Sequence, residues 1–567
     1  GSGIDFLTAQ NGTGGTLVLN SNDAATGTII GGWATAGAGG SFAAASSGKA
    51  TQLGTYSATY VAGANVDNGT LATIGSSPIS VNTLRFNSVN PVTLDATAGL
   101  TVASGGVLIT PTVGTNAVTI QGGTITSGNG LDLIFHQWNA NAAGFVTVAS
   151  KITGNIGLTK VGPGTLILNN PANDFTGPVN IGGAAGVFRV EASGALGAST
   201  NVVNLISTGQ FQIDQGVNIA NPINIKYATG VVGQGAIFLS ASSGVGTLSG
   251  PIFVQNTTFA GGLFASNGAT LDITGPVTAA PGQMVTTRAG NVRFSNSTGT
   301  PSDYDYFYNQ NAVVTLGANN ALSTRAIVDI GSVGTASFDL NGYSQTIGAL
   351  TRVAAQTATV TNTAGALSTL TINVAANDGG ILTGDWNYAG QITGNLALVK
   401  SGAGIQLLSG ANFYTGGTTV NGGTLRMGNV NALGGDTGFN GALTVNGGTL
   451  DIFGVGNAAI GTLSGSGGAI SDSGLFSGSS VVSTYSLADS AYAGAINDGA
   501  YRSLSLYKDG TSILTLTGAS NYTGVTKVFE GAVRLGSNAG LGSAVGATVV
   551  SSGAADQVSG NIVSHEP

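Results

Sequence analysis

The segment TVNGGTL occurs twice in the chain, at 419–425 and at 444–450, so the two copies begin 25 residues apart. Two short apolar runs around an Asn-Gly signal usually predict a β-hairpin. A hairpin, however, requires no second copy at a fixed distance. In a β-solenoid the Asn-Gly-Gly forms a corner, and an offset of this size is about one circuit of the chain. The repetition therefore favours stacked coils over hairpins.

Stacking of the two copies predicts which side chains contact each other from one coil to the next. Aliphatic residues would form ladders inside the coils, and the two Asn would form a ladder at a corner. The strand TLIL at 165–168 has the same alternation of inward and outward positions. The predicted ladder residues are Leu166, Leu168, Val420, Asn421, Leu425, Val445, Asn446 and Leu450.

Composition excludes several other classes of protein. Gly makes up 95 of 567 residues, 42% of residues are hydrophobic and only 7% are charged, which is not the composition of a disordered acidic chain. The net charge of −8, with Lys and Arg scattered singly, would repel a phosphate backbone, so nucleic acid is not an expected partner. No apolar run approaches 18 residues, and no transmembrane segment is expected. The absence of Cys excludes disulfides and thiol chemistry.

A longer pattern begins at Lys160, Lys400 and Lys508. Each Lys precedes a Gly-containing turn, a strand, an aromatic step and a Thr-Gly pair, and the three copies occupy 158–197, 398–434 and 506–542. The pattern resembles the autotransporter-associated β-strand repeat, also called the passenger-associated transport repeat. We interpret the three lysines as markers of exposed turns that recur because a building block was duplicated.

The resemblance implies an all-β protein, a right-handed parallel β-helix in the form of an elongated rod. It also implies a location outside a bacterial cell or at its surface. Residues 1–155 would form an N-terminal β-rich module, either β-helical or a separate β-sandwich. Residues 156–545 would form the β-helix with the three repeats, and 546–567 an open coil or tail strand.

Open solenoid edges recruit other strands, and this property suggests a function. The first expectation is a structural subunit of an extracellular fibre or matrix, which assembles head to tail into a homopolymer. The alternative is a monomeric surface adhesin or autotransporter-type passenger that binds glycans or cells. The third is a β-helical polysaccharide-active enzyme. We expect no enzymatic activity, because the sequence shows no carboxylate cluster with a basic partner.

One segment, SDYDYFYNQN at 302–311, combines acidic and aromatic residues. Asp303 and Asp305 would share one face of a strand and could hold Ca²⁺, while no other cofactor is expected. Tyr304, Tyr306 and Tyr308 could face a ligand, because an aromatic ring can stack on a sugar. The segment is thus the one ligand-binding candidate in the sequence, although a loop that caps a coil explains the same residues.

Histidine chemistry is not expected in this chain. His136 and His565 are the two histidines, and His565 is two residues from the end of the sequence. We interpret His136 as a turn or half-buried residue beside Trp138. A metal site of the His/Cys type is excluded for the same reason.

Overall fold

The computed structural model describes residues 4–6, 29–46, 49–69, 72–128, 130–140, 144–183, 186–226, 236–255, 263–331, 336–352, 358–376, 386–435 and 441–559. Apart from one short 3-10 helix, Pro111–Val113, the regular elements in these ranges are β-strands. The chain divides into two compact units, Gly1–Arg293 and Phe294–Pro567. The predicted all-β parallel solenoid is confirmed.

The strands that begin in the first unit are β1 Ile4–Phe6, β2 Ala34–Ala36, β3 Ser41–Ser46, β4 Lys49–Gln52, β5 Asn65–Asp67, β6 Ala72–Thr73, β7 Ile79–Val81, β8 Thr83–Phe86, β9 Val92–Asp95, β10 Leu100–Val102, β11 Gly106–Ile109, β12 Val118–Gln121, β13 Thr124–Ser127, β14 Leu133–Gln137, β15 Phe145–Val148, β16 Lys151–Ile152, β17 Leu158–Val161, β18 Thr165–Leu168, β19 Val179–Ile181, β20 Val187–Val190, β21 Val203–Leu205, β22 Gln210–Ile213, β23 Asn218–Ile219, β24 Ile223–Ile225, β25 Ile237–Leu239, β26 Val245–Leu248, β27 Ile252–Val254, β28 Phe264–Ile273, β29 Val277–Ala279 and β30 Met284–Phe294.

The strands of the second unit are β31 Tyr306–Asn309, β32 Val313–Leu316, β33 Ile327–Ile330, β34 Ala336–Asp339, β35 Gln345–Ile347, β36 Ala349–Thr351, β37 Ala358–Asn362, β38 Ser368–Asn373, β39 Trp386–Tyr388, β40 Gln391–Gly394, β41 Leu396–Ser401, β42 Ile405–Leu408, β43 Phe413–Tyr414, β44 Thr418–Val420, β45 Thr424–Met427, β46 Leu443–Val445, β47 Thr449–Asp451, β48 Asn457–Ile460, β49 Leu463–Ser464, β50 Ala469–Ser471, β51 Gly478–Tyr485, β52 Ser490–Tyr492, β53 Ala495–Ile496, β54 Arg502–Asp509, β55 Ile513–Leu516, β56 Thr526–Val528, β57 Ala532–Leu535, β58 Thr548–Val550 and β59 Ala555–Val558.

In the first unit the strands stack in parallel into three columns. One column runs β7-β10-β13-β16, a second runs from β5 through β8, β11 and β14 to β29, and a third includes β9, β12, β15 and β18. Register partners lie one coil apart: Val203 pairs with Ile223, 20 residues later, and Ile223 pairs with Ile252, 29 residues later. The corners therefore absorb differences in coil length while the strands keep their register.

The first described strands of this unit pair differently. Strand β2 pairs with β3, and β3 with β4, in antiparallel fashion. Phe42 of β3 packs against Leu108 of β11, which places this antiparallel segment on the parallel coils. From β5 onward the paired strands are parallel, and they share the columns of the coils after residue 155. The predicted domain boundaries themselves stay predictions.

The second unit is built in the same way. Its parallel columns include β35-β38-β41-β44-β46-β49, β39-β42-β45-β47-β50-β53, β48-β51-β54-β56-β58 and β52-β55-β57-β59. Burial alternates along most of these strands, as in β45, where Leu425 and Met427 are buried and Arg426 is not. Apolar side chains therefore point into the coil and polar side chains point out of it.

Each inward position continues as a ladder through successive coils. One long ladder in the first unit crosses the third column and joins aliphatic to aromatic residues, all of them buried: Val92, Val118, Val146, Leu166, Phe188, Phe211, Ile237 and Phe264. Burial of each such side chain stabilises the fold by about 1.5–3 kcal/mol relative to exposure. The interior is thus filled by residues that one coil alone could not bury.

In two of the repeats, a buried Asn side chain forms hydrogen bonds with the backbone of both neighbouring coils. The side chain of Asn412 accepts a hydrogen bond from the Ile392 N–H (2.8 Å) and donates to the Ala432 carbonyl (2.7 Å). Asn173 makes the equivalent two bonds in the first repeat. In the third repeat Ser520 takes this position and accepts from the Ile496 N–H at 3.1 Å. The side chain thus satisfies backbone groups of the coil before and the coil after.

Two positions after this Asn or Ser, each repeat has a buried aromatic residue, which is matched to the residue four positions further along the chain. Tyr414 shares a hydrogen bond of 2.5 Å with the Thr418 hydroxyl, and Tyr522 shares one of 2.6 Å with Thr526. In the first repeat the corresponding residues are Phe175 and Val179, and both are buried. A buried hydroxyl is costly without a partner. The hydroxyls therefore occur together or are absent together.

This pairing predicts the outcome of a double-mutant cycle. Tyr414→Phe should lower the free energy of unfolding by about 1–2 kcal/mol, because the buried Thr418 hydroxyl loses its short bond and keeps only a long one, of 3.4 Å, to the Leu433 carbonyl. Adding Thr418→Val should recover most of the loss, since the apolar Phe175 and Val179 fill the same places in the first repeat. Urea unfolding followed by near-UV circular dichroism measures both effects. A double variant no more stable than the single variant would contradict the matched-pair argument.

Candidate binding surface

The repeated TVNGGTL segments stack on each other. Val420 pairs with Val445 between β44 and β46, and all of the aliphatic residues predicted for these ladders are fully buried. Leu425 pairs with Leu450 in the same way between β45 and β47. In the first unit the other two predicted residues, Leu166 and Leu168 of β18, are buried between β15 and β20.

The Asn-Gly-Gly sequences form the corner of these coils. The Asn446 side chain donates to the Asn421 side-chain oxygen at 3.1 Å, and the Ser466 hydroxyl lies 3.3 Å from the Asn446 side-chain oxygen one coil later. Gly448 has a φ of 69°, and a Cβ there would lie 2.4 Å from the Gly423 carbonyl oxygen. Only Gly fits such a close approach in this conformation.

The three lysines of the repeats are buried, so the interpretation of exposed turns is wrong. Lys160, Lys400 and Lys508 are each 0% exposed. They occupy inward positions, in register with Ile181, Val420 and Val528 of the next coil. A sequence signal for this burial exists, because each Lys lies two residues after an inward Leu, on the same face of its strand: Leu158, Leu398 and Leu506.

Each buried ammonium group donates to backbone carbonyls at the corner that follows it. Lys160 Nζ donates to the Gly162 carbonyl at 2.5 Å. The other two lysines each donate to three carbonyls, with distances of 2.6–3.1 Å for Lys400 and 2.7–3.4 Å for Lys508; these carbonyls belong to Ser401, Gly402, Gly422, Asp509, Gly510 and Glu530. The lysines therefore satisfy carbonyl groups that water would otherwise have to reach. Burial lowers the pKa of Lys160 to about 7 and that of Lys400 to about 8.

The acidic pair of the SDYDYFYNQN segment has a basic partner after all. Arg325 donates to Asp303 at 2.5 Å and also to Asp305, and it comes from about 20 residues further along the chain. The guanidinium occupies the place that a cation bound by both carboxylates would need, and the calcium site stays a prediction. Among the described residues, no group of three or more His, Asp and Glu side chains could hold a metal ion.

The tyrosines of this segment do not form an exposed loop. Tyr304 is 1% exposed and lies 6.4 Å from the Phe307 ring, inside the coil. Tyr308 is 8% exposed, because it is covered in β31, and Tyr306 is half-buried. The idea that all three rings face a ligand is therefore corrected for Tyr304 and Tyr308.

The histidine is a packing residue. His136 is fully buried in β14, and its Nε2 lies 2.7 Å from the Gly32 carbonyl oxygen. Burial lowers the pKa of His136 to about 4, so the ring is neutral at physiological pH. It is buried in a strand rather than half-buried in a turn, because the antiparallel segment covers it through Phe42. His565 lies outside the described residues.

Several of the large apolar side chains that are exposed to solvent lie close together in the sequence of the second unit. Six of them lie within 55 residues of sequence: Leu475, Phe476, Tyr485, Leu487, Tyr501 and Phe529. We call these six the exposed apolar region. Phe476 is 82% exposed, and both Leu475 and Leu487 are 70% exposed, so these side chains contribute little to the interior. Exposed apolar side chains of this size are available for contact with a partner.

An open cleft of the first unit lacks acid–base chemistry. Its lining comes from residues 44–46, 51–57 and 63–65. Among the described residues that line it, Tyr56 is the one titratable side chain, and burial raises its pKa. Hydrolysis of a glycosidic bond requires two carboxyl groups across the bond. The cleft therefore has no arrangement suited to that reaction.

Four segments of the chain match the passenger-associated-transport-repeat family, at residues 158–188, 398–427, 432–452 and 506–535. Three of these segments lie within the predicted repeats. The remaining one, 432–452, overlaps the end of the second predicted repeat. The predicted resemblance is confirmed: the chain is a parallel β-solenoid that carries passenger-associated transport repeats.

A relative extends this result. The adhesin BmaC autotransporter of Brucella suis biovar 1 (strain 1330) is 26% identical over 427 residues, which is 72% of this chain and 11% of the relative. The chain therefore spans about a tenth of the length of that relative. No solved structure matches the chain. The repeats and the relative agree with a location outside the cell or at its surface.

No helix in the described part of the chain is long and apolar enough to cross a membrane.

Truncation of the buried lysines should destabilise the fold to different extents. Lys400→Met removes three hydrogen bonds to half-buried corner carbonyls and should lower the free energy of unfolding by about 2–3 kcal/mol. Lys160→Met removes one such bond and should cost less. The control is Lys151→Met, because the Lys151 side chain is 36% exposed and pairs with a half-exposed Asp174. Chemical unfolding measures all three, and equal effects for Lys400 and Lys151 would contradict this role.

The buried lysines also predict how stability depends on pH. A Lys in the unfolded chain titrates near about 10.4, whereas the pKa of Lys160 in the fold is about 7. Between these values the unfolded state binds more protons than the folded state, so the free energy of unfolding should rise with pH from about 7 to about 10. Urea unfolding at several pH values measures the slope. Lys160→Met should flatten it, and an unchanged slope in this variant would contradict the assignment.

Proposed function

We propose that this chain is a segment of an autotransporter-type passenger that acts as a surface adhesin. In this function the solenoid holds binding groups away from the bacterial cell and presents them on the outer faces of its coils. The passenger-associated transport repeats and the relative named as an adhesin autotransporter support the proposal. The segment itself catalyses no reaction in this proposal.

The observation that carries the proposal is the exposed apolar region. The interior of the second unit is already filled by its own ladders, so these six side chains are not needed to complete the core. Exposed aromatic and aliphatic groups lose contact with water when a partner covers them, and this burial drives association. A chain that keeps such groups in solvent therefore gains binding affinity for another surface.

The arrangement of carboxylates favours binding over catalysis. Asp303 and Asp305 are both engaged by Arg325 at the surface. In the described part of its lining, the cleft of the first unit has Tyr56 as its one titratable group. A polysaccharide-active enzyme would need a paired acid and base held on a substrate-binding surface.

Head-to-tail assembly into a fibre stays a prediction. Sedimentation velocity across a concentration series tests it directly. A species of constant size would contradict self-assembly, and growth with concentration would support it.

The adhesin function predicts how beads coated with the purified chain behave on surfaces. Beads that carry the chain should be retained on cultured epithelial cells several times more than albumin-coated beads, because many weak contacts act together. Replacing Phe476 and Tyr501 with Ser should lower retention. Val61→Ser together with Val89→Ser is the matched control, since both side chains are exposed apolar groups of the first unit, 55% and 66% exposed. Retention equal to that of albumin beads would contradict the function.

A further inference from the structure

Three successive coils of the second unit each carry an aromatic side chain on the same outer sheet face. Tyr485 ends β51, Tyr507 lies in β54, and Phe529 directly follows β56. These strands are neighbours in one parallel sheet. Tyr485 is 39% exposed and Phe529 43% exposed, whereas Tyr507 is half-buried. We call these three residues the aromatic strip.

Register places the strip on the outside of the coil. Tyr507 lies between the buried Leu506 and Lys508, so the alternation of the strand directs its ring outward. The rings of Tyr507 and Phe529 meet edge to face, with centroids 5.7 Å apart and an interplanar angle of 86°. Contacts of this kind hold the two rings in place before any ligand arrives.

Charged groups alternate with the rings. Asp509 is the register partner of Tyr485, and Lys527 is the register partner of Tyr507, with its Nζ 5.0 Å from the ring centroid. Asp509, Glu530 and Asp489 all act electrostatically on the buried Lys508 and therefore lie near this corner. Carboxylates thus outnumber the outward-facing cation, and this excess disfavours an anionic ligand.

The spacing of the rings favours one kind of ligand. Tyr485 is the register partner of Asp509. Phe529 follows Val528, the partner of Lys508. Tyr485 and Phe529 therefore lie on either side of Asp509 in one outward column. Their strands are about 10 Å apart, a distance that two consecutive sugar units of an extended polysaccharide span. A sugar has an apolar C–H face and a rim of hydroxyl groups. Aromatic rings with interspersed carboxylate and ammonium groups provide partners for both.

An outward column of the first unit has polar side chains where the second unit has the aromatic strip. Thr159, Asn180, Asn204 and Asn224 stand in register on four successive coils, and their side chains hydrogen-bond to one another at 3.0–3.5 Å. This column satisfies its own polar groups and presents no ring. The aromatic strip is therefore not a requirement of the solenoid.

From this geometry we infer that the aromatic strip binds a neutral, linear polysaccharide that lies along the stacking direction and spans the two coil steps from Tyr485 to Phe529. The C–H faces pack on Tyr485 and Phe529, and Tyr507 holds the Phe529 ring in place. Hydroxyl groups donate to the Asp509 carboxylate and accept from the Lys527 ammonium. This inference rests on the proposed adhesin function and names the ligand class for one part of its surface.

Isothermal titration calorimetry with defined oligosaccharides tests the inference. The probes are cellohexaose, xylohexaose and mannohexaose as neutral chains, and hexagalacturonate as the anionic control. At least one neutral hexaose should bind, its disaccharide should bind more weakly, and hexagalacturonate should not bind. Absence of binding by every neutral hexaose, or tighter binding of hexagalacturonate, would overturn the inference.

Substitutions locate the binding on the strip. Tyr485→Ala and Phe529→Ala should each lower the affinity for the hexaose by about five- to tenfold, because each removes one stacking partner. Phe413→Ala is the matched control, since the Phe413 ring is 41% exposed, lies outside both the strip and the exposed apolar region, and should leave the affinity unchanged when it is removed. Equal loss in the control variant, or unchanged affinity in both strip variants, would overturn the assignment to the strip.

The bead assay separates this inference from the adhesin function. Beads that adhere while no neutral hexaose binds would overturn the polysaccharide site and leave the adhesin function standing. Hexaose binding by a chain whose beads do not adhere would support the site and contradict the function. If the strip variants change self-association in sedimentation without changing sugar binding, the strip is a contact between copies, and the inference fails.

Discussion

The backbone carbonyls at the coil corners are the constraint on which the structure depends. A corner packed between two coils limits the access of water to these groups, yet each buried carbonyl must accept a hydrogen bond. Lys400 and Lys508 meet this requirement with three donated bonds each. Asn412 meets it by joining the coil before to the coil after. The features that define the passenger-associated transport repeat are thus, in this chain, the means of burying polar backbone.

Because ladders of apolar side chains fill the interior, the few charged side chains form ion pairs between neighbouring coils. Arg426 binds Asp451 at 2.7 Å, and Arg502 binds Asp472 at 2.8 Å, with the acid almost fully buried in both pairs. Side chains on the outer faces do not have to fill the interior. One of these faces bears a column of hydrogen-bonded polar side chains, and another bears the aromatic strip. A solenoid can therefore change its binding surface without changing its core.

The repeated segments and the charged side chains differ in how well the sequence predicts their positions. The repeat of TVNGGTL predicted the stacking of Val420 on Val445 and of Asn421 on Asn446, because identical segments in a solenoid tend to share a register. The same reasoning placed the lysines in exposed turns, since a charged side chain is rarely buried. It missed Arg325 as the partner of Asp303, because the two lie 22 residues apart and only the coil brings them together.

The sequence by itself determined the strands, their inward and outward faces, and the repeated unit of the solenoid. These properties depend on local alternation and on a spacing that can be counted along the chain. Only the tertiary structure decided which polar side chains are buried and which rings remain outside. That outcome depends on the residues that each corner, of variable length, brings opposite one another, and on whether a buried group finds a partner there.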